Sequence, residues 1–145
     1  MNDHIKQRGA AIIVIDGKLV LIKREKGEGD TFERYYVIPG GTQDEGETIE
    51  QTTIREIKEE LGITVELTRK EYHFTNLGRM EYFYIAKYVS GELGTGVGEE
   101  FTNPDYEKYG SYEVVLVPKE EIKNINLVPP KIKEIILSDT DIWKG

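Results

Sequence analysis

From Ala10 to Lys23 the chain sets two aliphatic and β-branched runs, Ala-Ala-Ile-Ile-Val-Ile and Leu-Val-Leu-Ile, on either side of Asp16-Gly17. Asp-Gly is a residue pair that the tight two-residue turn of a β-hairpin favours, so this stretch is expected to form one. Gly27 to Asp30 reads as a polar turn, and Phe32 to Ile38 as a strand halted by Pro39-Gly40-Gly41. A helix should follow. Thr48 with Gln51 three residues on suits a capping box, and Gly62 after Leu61 suits the left-handed residue that ends a helix. Thr64 to Thr68 and Met80 to Val89 read as strands, Gly91 to Gly110 as a long glycine-rich loop, and Tyr112 to Val117 as a further strand. A short helical turn at Lys119 to Ile122 and a closing helix from about Pro130 to Leu137 complete the chain. Strands and helices thus interleave around a mixed sheet, as in one α/β or α+β layered domain spanning residues 1–145.

On the central helix, hydrophobic and acidic positions separate. Ile54, Ile57 and Leu61, at spacings of three and four, fall on one stripe that should pack on the sheet. Glu56, Glu59 and Glu60, at the same spacings, fall on another. A glutamate cluster on a helix is most often a solvated face. Here, however, Glu56 and Glu60 form a like-charged i, i+4 pair with Glu59 alongside, an arrangement that destabilises an isolated helix. A divalent cation would remove the conflict, and Mg²⁺, which prefers carboxylate and carbonyl oxygens, commonly shares its coordination with substrate phosphates.

Charge sharpens this reading. Nineteen basic against 27 acidic residues give a net charge of −8, which works against non-specific binding to nucleic acid or an anionic membrane, and leaves an anionic substrate in need of a counter-ion. The absence of cysteine removes disulfides, thiolate zinc sites, iron–sulfur clusters and cysteine nucleophiles. The longest aliphatic run, Ala10 to Ile15, is far short of the ~20 residues of a membrane helix. With Asp3, Lys6 and Arg8 in its first eight residues the chain shows no secretion-signal pattern, so a cytoplasmic location is expected.

From Gly41 to Ile63 the sequence runs GTQDEGETIEQTTIREIKEELGI: Gly41, five residues, Glu47, seven residues, then Arg55-Glu56-Ile57-Lys58-Glu59-Glu60-Leu61-Gly62-Ile63. It resembles the Nudix box, the signature of the Nudix hydrolase superfamily, at every fixed position. Chance would produce such a match in a chain this long with a probability on the order of 10⁻⁸. The flanks fit loosely as well; Tyr36 stands where many members carry Trp three residues before the proline.

The resemblance implies an α/β/α sandwich around a mixed sheet, and an enzyme that hydrolyses the diphosphate linkage of a nucleoside diphosphate derivative by metal-assisted attack of water on phosphorus. The implied cofactor is Mg²⁺, with Mn²⁺ as a substitute. Glu59 and Glu60 look like the main metal ligands, with the Gly40 carbonyl as a further one and Glu56 as a metal-binding or base glutamate. Arg55 and Glu47 look like the residues that orient the helix. Family members often add a glutamate from beyond the box; the candidates are Glu99, Glu100, Glu107 and Glu113, with Glu100 preferred. Arg24 and Arg34 are candidate contacts to substrate phosphates. The partner implied is a small nucleotide, with no stable nucleic-acid or membrane partner, and a homodimer stays open. The competing reading is a domain of this fold that binds a nucleotide without cleaving it.

Overall fold

The computed structural model describes residues 6–96 and 110–144. The expected hairpin forms from β1 (Arg8–Ile15) and β2 (Lys18–Lys26), with Asp16 and Gly17 both at positive φ in the turn. The remaining strands are β3 (Glu33–Val37), β4 (Gly40–Thr42), β5 (Ile63–Asn76), β6 (Arg79–Gly91), β7 (Ser111–Pro118) and β8 (Leu127–Val128). Among the described residues, two helices, α1 (Ile49–Leu61) and α2 (Pro130–Ser138), complete the frame with short 3₁₀ turns. The strands make one eight-stranded mixed sheet with the path β5-β6-β1-β2-β3-β8, to which β4 adds against β1 and β7 against β2.

β1 and β2 stay paired only near their turn, at Val14–Leu19 and Ile15–Lys18. Beyond that they splay, and β4 takes up the freed edge of β1 through Arg8–Thr42, Gly9–Gly41 and Ala10–Gly40. The other edge of β1 pairs in parallel with β6 from Arg8–Glu81 to Ile13–Ala86. β1 and β2 carry unbroken aliphatic runs because both of their faces are covered. Ala10, Ile12, Leu19 and Leu21 join Ile132 and Ile136 of α2 in one apolar cluster, while Ala11, Ile13, Val20 and Ile22 join Ile57 and Leu61 of α1 in the other.

Two sequence expectations change. The strand read as Thr64 to Thr68 runs on to Asn76, and a turn at Leu77 and Gly78 folds it back as a hairpin onto β6. Irregular register between Leu67 and Glu71 hides this strand from its alternation pattern. The buried arc of α1 is also rotated from the expected one: Ile54 is 39% exposed, whereas Thr52, Thr53 and Glu60 are buried beside Ile57 and Leu61.

The rotation has a steric cause. Gly9 of β1 lies so close to α1 that a Cβ there would stand 2.3 Å from Thr53 Oγ1 and 3.1 Å from the Ile49 carbonyl. A small residue in the sheet meeting a small one on the helix lets the helix settle on its Thr53 side. Gly9→Ala should therefore lower stability by roughly 1–3 kcal/mol, as overpacking does. Pairing it with Thr53→Ala, which removes the clashing hydroxyl, should recover part of the loss, a coupling measurable by urea unfolding of the four proteins in the cycle. Strict additivity of the two substitutions would refute the contact as the cause.

Candidate active site

The site begins with how α1 is started and stopped. Thr48 accepts a hydrogen bond from the Gln51 amide, the Gln51 side chain accepts one from the Thr48 amide, and Gly62 closes the helix in the left-handed conformation. Between those caps the helix presents Arg55, Glu56, Glu59 and Glu60 towards β4 and the loop after it.

Arg55 is the hub. Its Nε donates to Glu47 Oε2 at 2.6 Å and its Nη2 to Glu47 Oε1 at 3.0 Å, a two-pronged grip on one carboxylate. Nη1 donates to Glu56 Oε2 at 3.0 Å and to Glu59 Oε1 at 2.9 Å. Nη2 also reaches the Thr42 carbonyl at 3.3 Å and stands 3.4 Å from Asp44 Oδ2. Hydrogen bonding to Glu47, with further help from Glu56, strengthens the hold of Arg55 on its proton despite partial burial. Glu47 is held as firmly from its side. It accepts from Arg55, from the Asp44 amide and from Thr52 Oγ1, and these bonds pull its carboxyl down to about 2.

Glu60 is 8% exposed and its Oε1 accepts from the Gly40 amide at 2.9 Å, which ties the helix to β4. Gly41, next along, has no room for a side chain: a Cβ would fall 2.2 to 2.6 Å from the carboxyl atoms of Glu56. Residues leaving β6 run against the last turn of α1, where the Gly94 amide donates to the Leu61 carbonyl.

The structure therefore brings Gly40, Glu47, Arg55, Glu56, Glu59 and Glu60 into one place. One guanidinium balances part of the charge of four carboxylates, and the donor set is wholly hard oxygen, which fits a divalent cation of the Mg²⁺ class. Among the described residues no group of three or more His, Cys, Asp or Glu side chains already stands arranged to hold a metal ion; Glu56 and Glu59 each turn an oxygen to Arg55. Three supporting partners, Thr42, Asp44 and Thr52, escape a sequence reading because their role depends on where the loop meets the helix.

The remaining candidates have partners of their own. Arg24 donates from Nε to the Ser111 carbonyl and lies 3.7 Å over the Tyr112 ring, while Arg34 donates to Glu25 Oε2 at 2.6 Å across β2 and β3. Glu113 pairs with Lys23 on the adjacent strand at 3.1 Å. Glu99, Glu100 and Glu107 lie outside the described residues.

Comparison with known proteins agrees with this geometry. The chain is 44% identical over 91 residues to an ADP-ribose pyrophosphatase of Methanocaldococcus jannaschii, an alignment covering 59% of this chain and 52% of that protein. It is 35% identical over 77 residues to an uncharacterized Nudix hydrolase of Listeria innocua, covering 50% of this chain and 45% of that one. The chain thus matches about half the length of these curated relatives. Among solved structures, a Nudix family hydrolase from Clostridium perfringens superposes with a TM-score of 0.69 over 99% of this chain and 98% of its own, at 18% identity. A UDP-X diphosphatase superposes at 0.64 over 100% of this chain and 66% of its own, at 17% identity. These two likenesses show the shared fold. The NUDIX domain family model matches residues 5–134, nearly the whole length over which the hairpin, α1 and the closing helix are laid out, and the chain belongs to the Nudix family.

Proposed function

We propose that this chain is a divalent-metal-dependent pyrophosphohydrolase that cleaves the diphosphate linkage of a nucleoside diphosphate derivative. The observation that carries the reading is the buried Glu60, fixed by the Gly40 amide, beside Glu56 and Glu59 on one helix face with Arg55 threaded between them. ADP-ribose is the first substrate to try, because the Methanocaldococcus jannaschii relative bears that activity in its name.

Glu59, Glu60 and Glu56 would hold the metal with the Gly40 carbonyl. Mg²⁺, or Mn²⁺ in its place, supplies charge neutralisation on the diphosphate oxygens and a more acidic water. Water adds to one phosphorus, the bridging P–O bond breaks, and ADP-ribose would yield AMP and ribose 5-phosphate. Arg55 and Glu47 orient: the two-pronged contact locks the guanidinium, and the guanidinium sets where the Glu56 and Glu59 carboxylates point. Small nucleotides are the expected partners, and the location expected from the sequence is the cytoplasm.

Glu60→Gln is nearly isosteric and keeps an oxygen for the Gly40 amide, so the fold should persist. Turnover should fall on the order of 10²-fold or more, since several kcal/mol of transition-state stabilisation would be lost. Saturating Mg²⁺ should raise the melting temperature of the wild type, through binding to the native state, and do so less in Glu60→Gln. Wild-type turnover in the variant, or no metal requirement in the parent, would sink the assignment; nucleotide binding without hydrolysis by the parent would mark a non-catalytic domain.

Arg55→Lys keeps the charge and loses the fork. It should lower kcat by about 10- to 100-fold, as loss of a ligand-orienting partner does, with KM little changed. An effect confined to KM would move Arg55 to the substrate.

The carboxyl of Glu47 titrates at about 2 in the folded protein against an ordinary value of 4.5. A depressed folded value means that its stabilisation is fully present above 4.5 and drains away as pH falls towards about 2. Glu47→Gln should be less stable near neutrality and show a shallower loss across that window, read from urea midpoints at a series of pH values. Parallel pH curves for the two proteins would contradict it.

A further inference from the structure

A second group of charges lies under β4 on the face of the sheet away from α1. Glu81 of β6 is 4% exposed. It accepts from Asn76 Nδ2 at 3.0 Å and makes ion pairs of 3.8 Å with Arg8 Nη1 and with Arg79 Nε. The free ends of both arginines reach the segment that carries the site's glycines. Arg8 Nη2 donates to the Ile38 carbonyl at 2.7 Å and Arg79 Nη1 donates to Thr42 Oγ1 at 3.1 Å. Register explains the meeting: Thr42, Arg8 and Glu81 are cross-strand neighbours on β4, β1 and β6.

Burying these charges has a cost, and hydrophobic residues often serve stability equally well, so stability alone does not account for them. Their placement does. Ile38 and Thr42 bracket Gly40 and Gly41, the residues that meet Glu60 and Glu56 from the other side. The segment is held twice over, by Arg55 at the Thr42 carbonyl and by Arg79 at the Thr42 hydroxyl. Arg8 also lies within electrostatic reach of the helix: burial lowers its pKa, while Glu81, then Glu60 and Glu56, act to raise it.

We propose that Glu81 is a positioning residue for the metal-binding face of α1: through Arg8 and Arg79 it fixes the Ile38–Thr42 segment, and so the Gly40 amide that holds Glu60. The inference rests on the proposed metal-dependent function. Neutralising Glu81 would leave two partly buried arginines repelling each other, with their field unopposed towards Glu60 and Glu56. Both effects weaken cation binding.

The test is Glu81→Gln in the full chain, with three readouts: Mn²⁺ affinity without substrate, from the electron paramagnetic resonance of free Mn²⁺; kcat and KM on the best substrate; and melting temperature. Mn²⁺ affinity and kcat should each fall about 10- to 100-fold with KM little changed, and Glu81→Asp, which keeps the charge, should recover part of both. Tyr72→Phe serves as comparison, because Tyr72 lies on the same sheet and the variant loses its hydrogen bond to Asp139, just beyond α2, so it should lower the melting temperature alone. Wild-type Mn²⁺ affinity in Glu81→Gln overturns the proposal, as does a loss in KM only, which would make the arginines substrate ligands. So does a loss that Tyr72→Phe reproduces. Should Glu81→Gln not fold, Thr42→Val removes the acceptor of Arg79 and keeps the carbonyl used by Arg55; unchanged Mn²⁺ affinity there overturns the proposal equally. A parent that binds no Mn²⁺ fails the functional reading itself, whereas a parent that binds and turns over beside an unaffected Glu81→Gln fails this inference alone.

Discussion

Everything at the site depends on one guanidinium placed among carboxylates. Without Arg55, Glu56, Glu59 and Glu60 would crowd one helix face with like charge, next to the carboxylate of Glu47. Because Arg55 and Glu47 are only partly exposed, their attraction is screened less than it would be in open solvent. The guanidinium is planar and offers five donors in fixed directions, so it serves several acceptors at once and fixes angles as well as charge. It joins the loop of Glu47 to the helix of Glu59. Neutralisation is incomplete, and the proposed divalent cation would balance the remainder.

The second constraint is proximity between helix and sheet. Gly9 and Gly41 sit opposite each other on β1 and β4, one beneath Thr53 and the other beneath Glu56. Their missing side chains let α1 approach until a carboxylate of the helix reaches a backbone amide of the sheet. Burial of Glu60 follows, and burial without that amide would cost far more than the single hydrogen bond returns. Packing and chemistry are thus the same arrangement seen from two sides.

Much of this was legible in the sequence wherever the signal is local. The hairpin announces itself through Asp16-Gly17, the helix through Thr48, Gln51 and Gly62, and the site through the spacing from Gly41 to Ile63. Where distant parts of the chain decide, the sequence misleads. Ile54 belongs to the apolar stripe on paper, yet it is Thr53 that meets the sheet, because Gly9 lies dozens of residues away. The irregular register of β5 breaks its alternation, and β4 is too short to have a period at all. Arg24 and Arg34 have partners of the same kind: strand pairing, which adjacency in sequence does not reveal, brings them to Ser111 and Glu25.

The position of β1 has a further consequence for how the molecule can move. Its N-terminal half is clasped by β4 on one edge and by β6 on the other, with an apolar cluster on each face. The strand that seats the site is also the strand that joins the sheet. Breathing motions that open a protein locally draw on regions with few partners, and β1 is the reverse of such a region. To release Gly40 from Glu60 by unzipping β4 from β1 would strip one edge of the domain's central strand. The geometry of the candidate site is thereby tied to the contacts that hold the core, and opening it locally would draw on the same cooperativity.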